Sequence, residues 1–80
     1  MTYYVISGKS LYNGYHEYLG QDECNMYTTG FISDALLFCH IEGLTYYIDE
    51  NREQLKKLFE YIMITELQVA EVNHKPVKLD

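Results

Sequence analysis

The stretch Asp49–Ile64, DENREQLKKLFEYIMI, decides the fold that this sequence predicts. Its apolar residues recur at intervals of three and four, which places them on one stripe of a helix. They are Leu55, Leu58, Phe59 and Ile62. Asp49 can cap the free amides of the first turn, and Glu53 and Lys57 form a favourable pair four residues apart. The pattern predicts one long amphipathic helix whose apolar stripe covers the rest of the fold.

Strands are predicted before and after this helix. Thr2–Ser7, TYYVIS, is rich in β-branched and aromatic residues and apolar on both faces, which is typical of a central strand. Thr65–Val72, TELQVAEV, alternates between apolar and polar residues and predicts a half-buried strand. We expect these two strands to pair. Asn73–Pro76 reads as a turn, and Val77–Asp80 as a short strand or a frayed tail.

The region after the first strand contains a hairpin signal. Asn13-Gly14 readily adopts the positive backbone angles of a tight turn, so two short strands are predicted on either side of it. A longer loop from Gly8 to Gly20 is the competing interpretation. Gln21–Asn25 is polar and predicts a loop.

Two segments in the middle of the chain are harder to assign. Ser33 or Asp34 can cap a helix of about two turns that ends near Ile41, with Gly43 as its stop. A buried strand through Ala35–Phe38 is the alternative. Leu44–Ile48, LTYYI, is read as a strand or an extended connector.

Together these elements predict one small α+β domain that spans residues 1–80. Its expected architecture is a mainly antiparallel sheet of three to five strands, covered by one long C-terminal helix, with a second short helix. A chain of 80 residues has room for a single thin core. A binding surface is therefore a simpler expectation than a deep catalytic cleft.

Charge limits the classes of ligand. Twelve acidic and six basic side chains give a net charge of −6, which argues against nucleic acid or an anionic membrane as a direct ligand. No apolar run approaches the roughly 20 residues of a membrane span, and the opening residues lack a basic leader. We expect a cytoplasmic protein with reduced thiols at Cys24 and Cys39, although pairing of these two cysteines stays open.

The order of elements resembles a known class of proteins. The features that carry the resemblance are a tyrosine-rich opening strand, Tyr27-Thr28-Thr29 ahead of Ser33–Phe38 (SDALLF), and a closing ELQVAEV strand. They are similar to small acidic accessory proteins of phages and prophages in Gram-positive bacteria, several of which resemble anti-CRISPR and other anti-defence inhibitors. The resemblance implies inhibition of a host enzyme by occupation of its surface, in the host cytoplasm, and it transfers no functional residue. The charge of −6 is more moderate than that of members that imitate DNA.

The sequence gives little indication of a catalytic or metal site. The residues of the right types are Cys24, Cys39, His16, His40 and His74, and none are spaced as ligands on one turn. Adjacent residues such as Cys39 and His40 do not form a nucleophile and base pair, because they point in different directions on a helix. We therefore expect no metal, no cofactor and no enzymatic activity.

The tyrosines around Asn13-Gly14 are the strongest binding signal. They carry more aromatic area than a solvated hairpin needs, and acidic residues follow closely. The predicted partner-binding residues are Tyr12, Tyr15, Glu17, Tyr18, Asp22 and Glu23. The competing interpretation folds these tyrosines back over the core.

Two functions from different classes follow. The leading hypothesis is a non-enzymatic binding protein that inhibits a host protein with a basic surface, such as a nucleic-acid-handling effector whose groove the acidic, tyrosine-rich face would occupy. The alternative is a homo-oligomeric small-molecule or nucleotide binder that stacks its ligand on tyrosines between subunits. A homodimer is an open question under either hypothesis.

Overall fold

The computed structural model describes residues 2–68, without the side chain of Gln68. The predicted turn Asn73–Pro76 and the predicted tail Val77–Asp80 lie outside the described residues. The elements are strands β1 (Thr2–Ser10), β2 (His16–Gln21), β3 (Met26–Thr29) and β4 (Phe59–Gln68), helices α1 (Ile41–Glu50) and α2 (Arg52–Leu58), and a 3-10 turn at Ile32–Asp34.

The four strands form one antiparallel sheet in the order β3-β2-β1-β4. β1 lies between β2 and β4, which confirms the predicted central strand. Tyr4 pairs with Glu66 and Val5 pairs with Thr65. The predicted pairing of the first strand with the strand after the helix is thus confirmed up to Gln68, where the described residues end.

The helices pack on one face of the sheet and form a one-sided core. Because successive side chains of a strand point to opposite faces, Ile6 of β1 faces the helices while Val5 and Ser7 face away from them. The core cluster consists of Ile6, Leu19, Leu44, Leu55, Leu58 and Phe59. Helix α1 supplies Leu44 and helix α2 supplies Leu55 and Leu58.

The predicted long helix over Asp49–Ile64 is wrong, and with it the architecture of a sheet covered by one long C-terminal helix. Helical structure begins earlier, at Ile41, and is divided at Asn51 into helices of ten and seven residues. It ends at Leu58, and β4 begins at the next residue. The fold remains α+β, but two short helices cover the sheet.

A β-bulge explains why β4 reads as a helix in the sequence. Gly8 pairs with Ile62 whereas Ser10 pairs with Phe59, so between these pairs one residue of β1, Lys9, is opposed by two of β4, Glu60 and Tyr61. The extra residue resets the alternation of side chains. Phe59 and Ile62 therefore both contribute to the core although they are three residues apart, and this spacing imitates a helical stripe.

The predicted helix from Ser33 or Asp34 to Ile41 is also wrong. Only Ile32–Asp34 forms a 3-10 turn, and the chain then runs extended to α1. Phe38 exchanges two backbone hydrogen bonds with Tyr4, of 2.8 and 2.9 Å. The alternative of a buried strand through Ala35–Phe38 is nearer to the structure, since Phe38 forms an isolated bridge with β1.

The segment Leu44–Ile48, predicted as a strand or connector, lies inside α1. Leu44 is fully buried in the core, which supplies the tertiary packing that overrides the strand propensity of the two tyrosines and the isoleucine. Gly43 stands within α1 rather than at the end of a preceding helix.

The hairpin at Asn13-Gly14 is confirmed, with Gly14 at a φ of +78°. β1 itself forms the strand before the turn, so no separate short strand precedes it. The competing loop from Gly8 to Gly20 is wrong because β2 begins at His16. The predicted polar loop is confirmed at residues 22–25, which connect β2 and β3.

Candidate partner-binding surface and groove

The β1–β2 loop, residues 11–15, has a backbone fixed by its own hydrogen bonds. The Ser10 carbonyl accepts a bond from the Gly14 amide, and the Tyr15 carbonyl accepts one from the Ser10 amide, both at 2.9 Å. The Asn13 side-chain oxygen accepts from the Tyr15 amide at 2.9 Å, and the Ser10 hydroxyl accepts from the Tyr12 amide at 3.1 Å. The loop presents its side chains from an ordered base.

Three aromatic side chains are exposed at this end of the sheet. Tyr12 and Tyr15 are 74% and 72% exposed, and Phe31, which follows β3, is 72% exposed. Phe31 lies at the same end as the loop because Thr29 pairs with Tyr18 in β2. Tyr12, Tyr15, Phe31 and Glu17 are called the hairpin-end surface below. The competing interpretation, in which the tyrosines fold back over the core, is wrong for Tyr12 and Tyr15.

Phe31 was absent from the predicted site. Its only signal in the sequence is a large aromatic residue directly after Gly30, and nothing local shows that β3 would return it to the end of the sheet where the loop lies. Strand register, which depends on the whole sheet, brings it there.

Glu17 and Tyr18 lie next to this surface in different surroundings. The Glu17 carboxylate accepts a hydrogen bond from the Asn13 amide at 3.1 Å, which holds it beside the loop. Tyr18 is half-buried on the sheet face opposite the helices, and its ring meets the His16 ring edge-on at 6.1 Å between centroids. Glu17 can therefore contact a partner protein together with Tyr15, whereas much of the Tyr18 side chain is covered.

Asp22 and Glu23 lie at the opposite end of β2, in the turn that leads to β3. Asp22 and Asn25 close this turn: the Asn25 amide donates to the Asp22 carboxylate at 3.2 Å, and the Asp22 amide donates to the Asn25 carbonyl at 3.0 Å. β2 thus separates the two acids from Tyr15. The structure does not bring the six predicted residues together in one patch.

A groove lies between the helices and the edge of the sheet formed by β2 and β3. Its volume is about 510 Å³, and both Tyr12 and Tyr47 line it. The Leu11 amide donates to the Leu58 carbonyl at 2.9 Å, which ties the β1–β2 loop to the end of α2 and places Tyr12 at the groove. Amide side chains, Cys24 and Lys57 contribute the polar part of the lining.

Tyr47 fixes one wall of the groove. Its hydroxyl donates a hydrogen bond to the Gln21 side chain, which joins α1 to the end of β2. Its ring packs edge-on against Phe38, with centroids 5.3 Å apart. A tyrosine hydroxyl is protonated at neutral pH, and burial raises the pKa of Tyr47 further above its ordinary value, so the hydroxyl remains a donor.

The cysteines and histidines do not assemble into a site within residues 2–68. Cys24 and Cys39 are free thiols and both are exposed. No three potential ligands among His, Cys, Asp and Glu converge in this part of the chain. Cys39 and His40 belong to the extended connector before α1 rather than to a helix.

Comparison of the chain with protein-family models, with curated proteins and with solved structures finds no match. Within residues 2–68, neither helix has the length and apolar character needed to cross a bilayer.

Proposed function

We propose that this protein is a non-enzymatic binding protein that inhibits a partner by covering part of the partner's surface with its hairpin-end surface. The partner is a host protein and the site of action is the host cytoplasm, as the resemblance to phage accessory proteins implies. The observation that carries the proposal is the exposure of Tyr12, Tyr15 and Phe31 at one end of the sheet.

The physical support lies in the combination of exposed rings and an ordered backbone. Aromatic side chains bury a large area with few rotatable bonds, and they dominate the energetics of many protein interfaces. A loop that is already ordered loses little conformational entropy on binding. The hydrogen bonds of Ser10 and Asn13 provide that order before any partner arrives.

Charge indicates the chemistry of the partner. The net charge of −6 favours a basic surface, and Glu17 stands beside the exposed rings to pair with an arginine or lysine. Asp22 and Glu23 lie at the far end of β2, yet a typical interface of about 800 Å² per partner is wide enough to reach both ends of a short strand. A contact role for these two acids stays a prediction.

The test is affinity capture from a Gram-positive bacterial lysate, at low and high salt, followed by an inhibition assay on the captured protein. We compare the wild type with the double variant Tyr15→Ala/Phe31→Ala, which spares the groove-lining Tyr12. A specific partner should be captured by the wild type at low salt, released as salt rises, inhibited on binding, and lost with the double variant.

The matched control is Tyr46→Ala, which removes a tyrosine 68% exposed on α1, a helix that contributes no residue to the hairpin-end surface. This control should capture the partner as well as the wild type does. If the double variant captures the partner equally well, the hairpin-end surface is not the contact. A complex that high salt leaves intact contradicts the basic partner, and a bound partner that keeps full activity contradicts inhibition.

A further inference from the structure

The groove differs in charge from the rest of the molecule. The chain has twelve acidic side chains, but none of those within residues 2–68 lines the groove. The polar lining consists instead of tyrosine hydroxyls, the amides of residues such as Asn51 and Gln54, one thiol and one lysine. Asp22 and Glu23 line an adjoining hollow that shares Cys24 and Asn25 with the groove, so the environment that can accept an anion is the one around Lys57.

Among residues 2–68, Lys57 is the only basic residue that lines the groove. The other three basic side chains of residues 2–68 are engaged in ion pairs, with N–O distances between 2.7 and 3.8 Å: Lys9 with Glu60, Arg52 with Asp49, and Lys56 with Glu53. The predicted pair of Glu53 and Lys57 is therefore wrong, because Glu53 pairs with Lys56 instead. Within the described residues Lys57 has no carboxylate partner, and its charge remains available to a ligand.

The position of Lys57 in the last turn of α2 has a simpler explanation, since basic residues there stabilise the helix dipole. Lys56 occupies the same turn and supplies the same interaction. The dipole explains why lysines stand at the end of α2, but it does not explain why one of them lines a groove to which residues 2–68 contribute no carboxylate. The two lysines therefore form a natural pair for experiment.

Two aromatic rings provide surfaces for stacking. The Tyr47 ring is held by its hydrogen bond to Gln21 and its contact with Phe38, whereas the Tyr12 ring is largely exposed on an anchored backbone. The volume of about 510 Å³ lies within the range of small-molecule sites, which is roughly 300–1,000 Å³. All of these groups belong to one chain.

We propose that this groove binds a small planar aromatic molecule that carries one anionic group, of the size of a nucleoside monophosphate. Its ring stacks on Tyr12 or Tyr47, and its anionic group binds Lys57. The ligand is a small molecule rather than a nucleic-acid strand, because a strand would bring many phosphates to a chain of net charge −6. This inference shares Tyr12 with the proposed function, but neither Tyr15 nor Phe31 lines the groove, so the two proposals can be tested separately.

Cys24 offers a direct readout because it is an exposed thiol in the groove lining. In the full chain carrying Cys39→Ser, N-ethylmaleimide reacts with Cys24 alone, and the rate of this reaction reports occupation of the groove. The probes are adenosine 5′-monophosphate and adenosine, which share a ring and differ in the phosphate. At about 5 mM, above the roughly millimolar Kd of a weak ligand, the monophosphate should slow the reaction about fivefold and adenosine much less.

Three controls make the result specific. In the Cys24→Ser chain, the monophosphate should leave the reaction of Cys39 unchanged, because Cys39 does not line the groove. Lys57→Gln should weaken binding of the monophosphate about tenfold, as expected for the loss of one charge-assisted hydrogen bond. Lys56→Gln should leave it within about twofold, because Lys56 is exposed and pairs with Glu53.

Each other outcome overturns the inference. If the monophosphate gives Cys24 no protection, the groove does not bind this class of ligand. If adenosine protects equally, or if Lys57→Gln and Lys56→Gln behave alike, the anion is not bound by Lys57. Far-ultraviolet circular dichroism of each variant excludes unfolding as the cause of a changed rate.

Discussion

β1 and β4 are paired strands of nine and ten residues, yet only one of them is enclosed. In β1, Val5, Ile6 and Ser7 have no exposed surface. In β4, Met63 and Ile64 are 44% and 45% exposed. Both strands are rich in β-branched and aromatic residues, so the difference comes from position in the sheet and not from composition.

The open edge of β4 bears on self-association. Within residues 2–68, no strand pairs with the outer side of β4, and its apolar stretch is flanked by Glu60 and Glu66. Charged residues on an edge strand oppose pairing with a second edge. Whether a homodimer forms there stays an open prediction, and the contrast between a covered and an uncovered strand can be tested directly by substitution.

The largest effect should come from Gly8→Ala at the bulge that joins the two strands. A Cβ at this position would lie 2.0 Å from the carbonyl oxygen of Tyr61 and 3.0 Å from the Cα of Ile62, so the backbone of β4 would have to move. We expect a loss of at least about 4 kcal/mol in the free energy of unfolding, measured by urea denaturation.

Gly43→Ala is the matched control for that substitution. A Cβ at Gly43 would meet no atom within 4 Å, and the residue lies inside α1. We expect a gain of about 0.5–1 kcal/mol, because alanine is the better helix former. Equal effects of the two substitutions would show that the bulge does not require a glycine.

The same bulge marks the limit of what the sequence predicts about the fold. The central strand, its pairing partner and the Asn13-Gly14 hairpin follow from local composition, because β-propensity and turn geometry are local properties. The end of the helix at Leu58 does not follow from local composition. Phe59 and Ile62 keep a helical spacing inside a strand only because Gly8 permits a bulge on the neighbouring strand, and that contact joins residues about fifty positions apart.

Some residues of the candidate site could likewise be predicted from local sequence, whereas others depend on the whole fold. The exposed tyrosines of the β1–β2 loop could be predicted, since a turn that projects into water exposes its side chains. The separation of Asp22 and Glu23 from these tyrosines by a strand, and the return of Phe31 to the same end, depend on register. Lys57 and Tyr47 meet at a groove only after α1 and α2 have packed on the sheet, so no local pattern indicates them.

The paired residues Ile6 and Ile64 provide a second test of the comparison. They stand opposite each other on the same face, but Ile6 is fully buried and Ile64 is 45% exposed. Ile6→Ala should cost about 3 kcal/mol through lost apolar burial and a cavity, whereas Ile64→Ala should cost about 1 kcal/mol or less. Both values come from urea denaturation of the full chain.

A larger loss at Ile64 than at Ile6 would contradict the contrast between the two strands. It would show that the Ile64 side chain is covered in solution. Sedimentation equilibrium of the wild type and of Ile64→Ala then decides whether a second copy of the chain provides the cover.

The smallest effect is expected from Ser7→Ala, and in this pair the substitution in β4 should cost more than the one in β1. The Ser7 and Thr65 hydroxyls are hydrogen-bonded across β1 and β4 at 3.0 Å, with Ser7 fully buried and Thr65 half-buried. Ser7→Ala leaves the Thr65 hydroxyl without its partner, but water can reach it, so the free energy of unfolding should fall by about 0.5 kcal/mol. Thr65→Val leaves the fully buried Ser7 hydroxyl without its partner, and the free energy of unfolding should fall by about 1–2 kcal/mol. A double-mutant cycle on urea denaturation measures the coupling between them. Were Ser7→Ala the costlier change, the Thr65 hydroxyl would be shielded from water, and β4 would be a covered strand like β1.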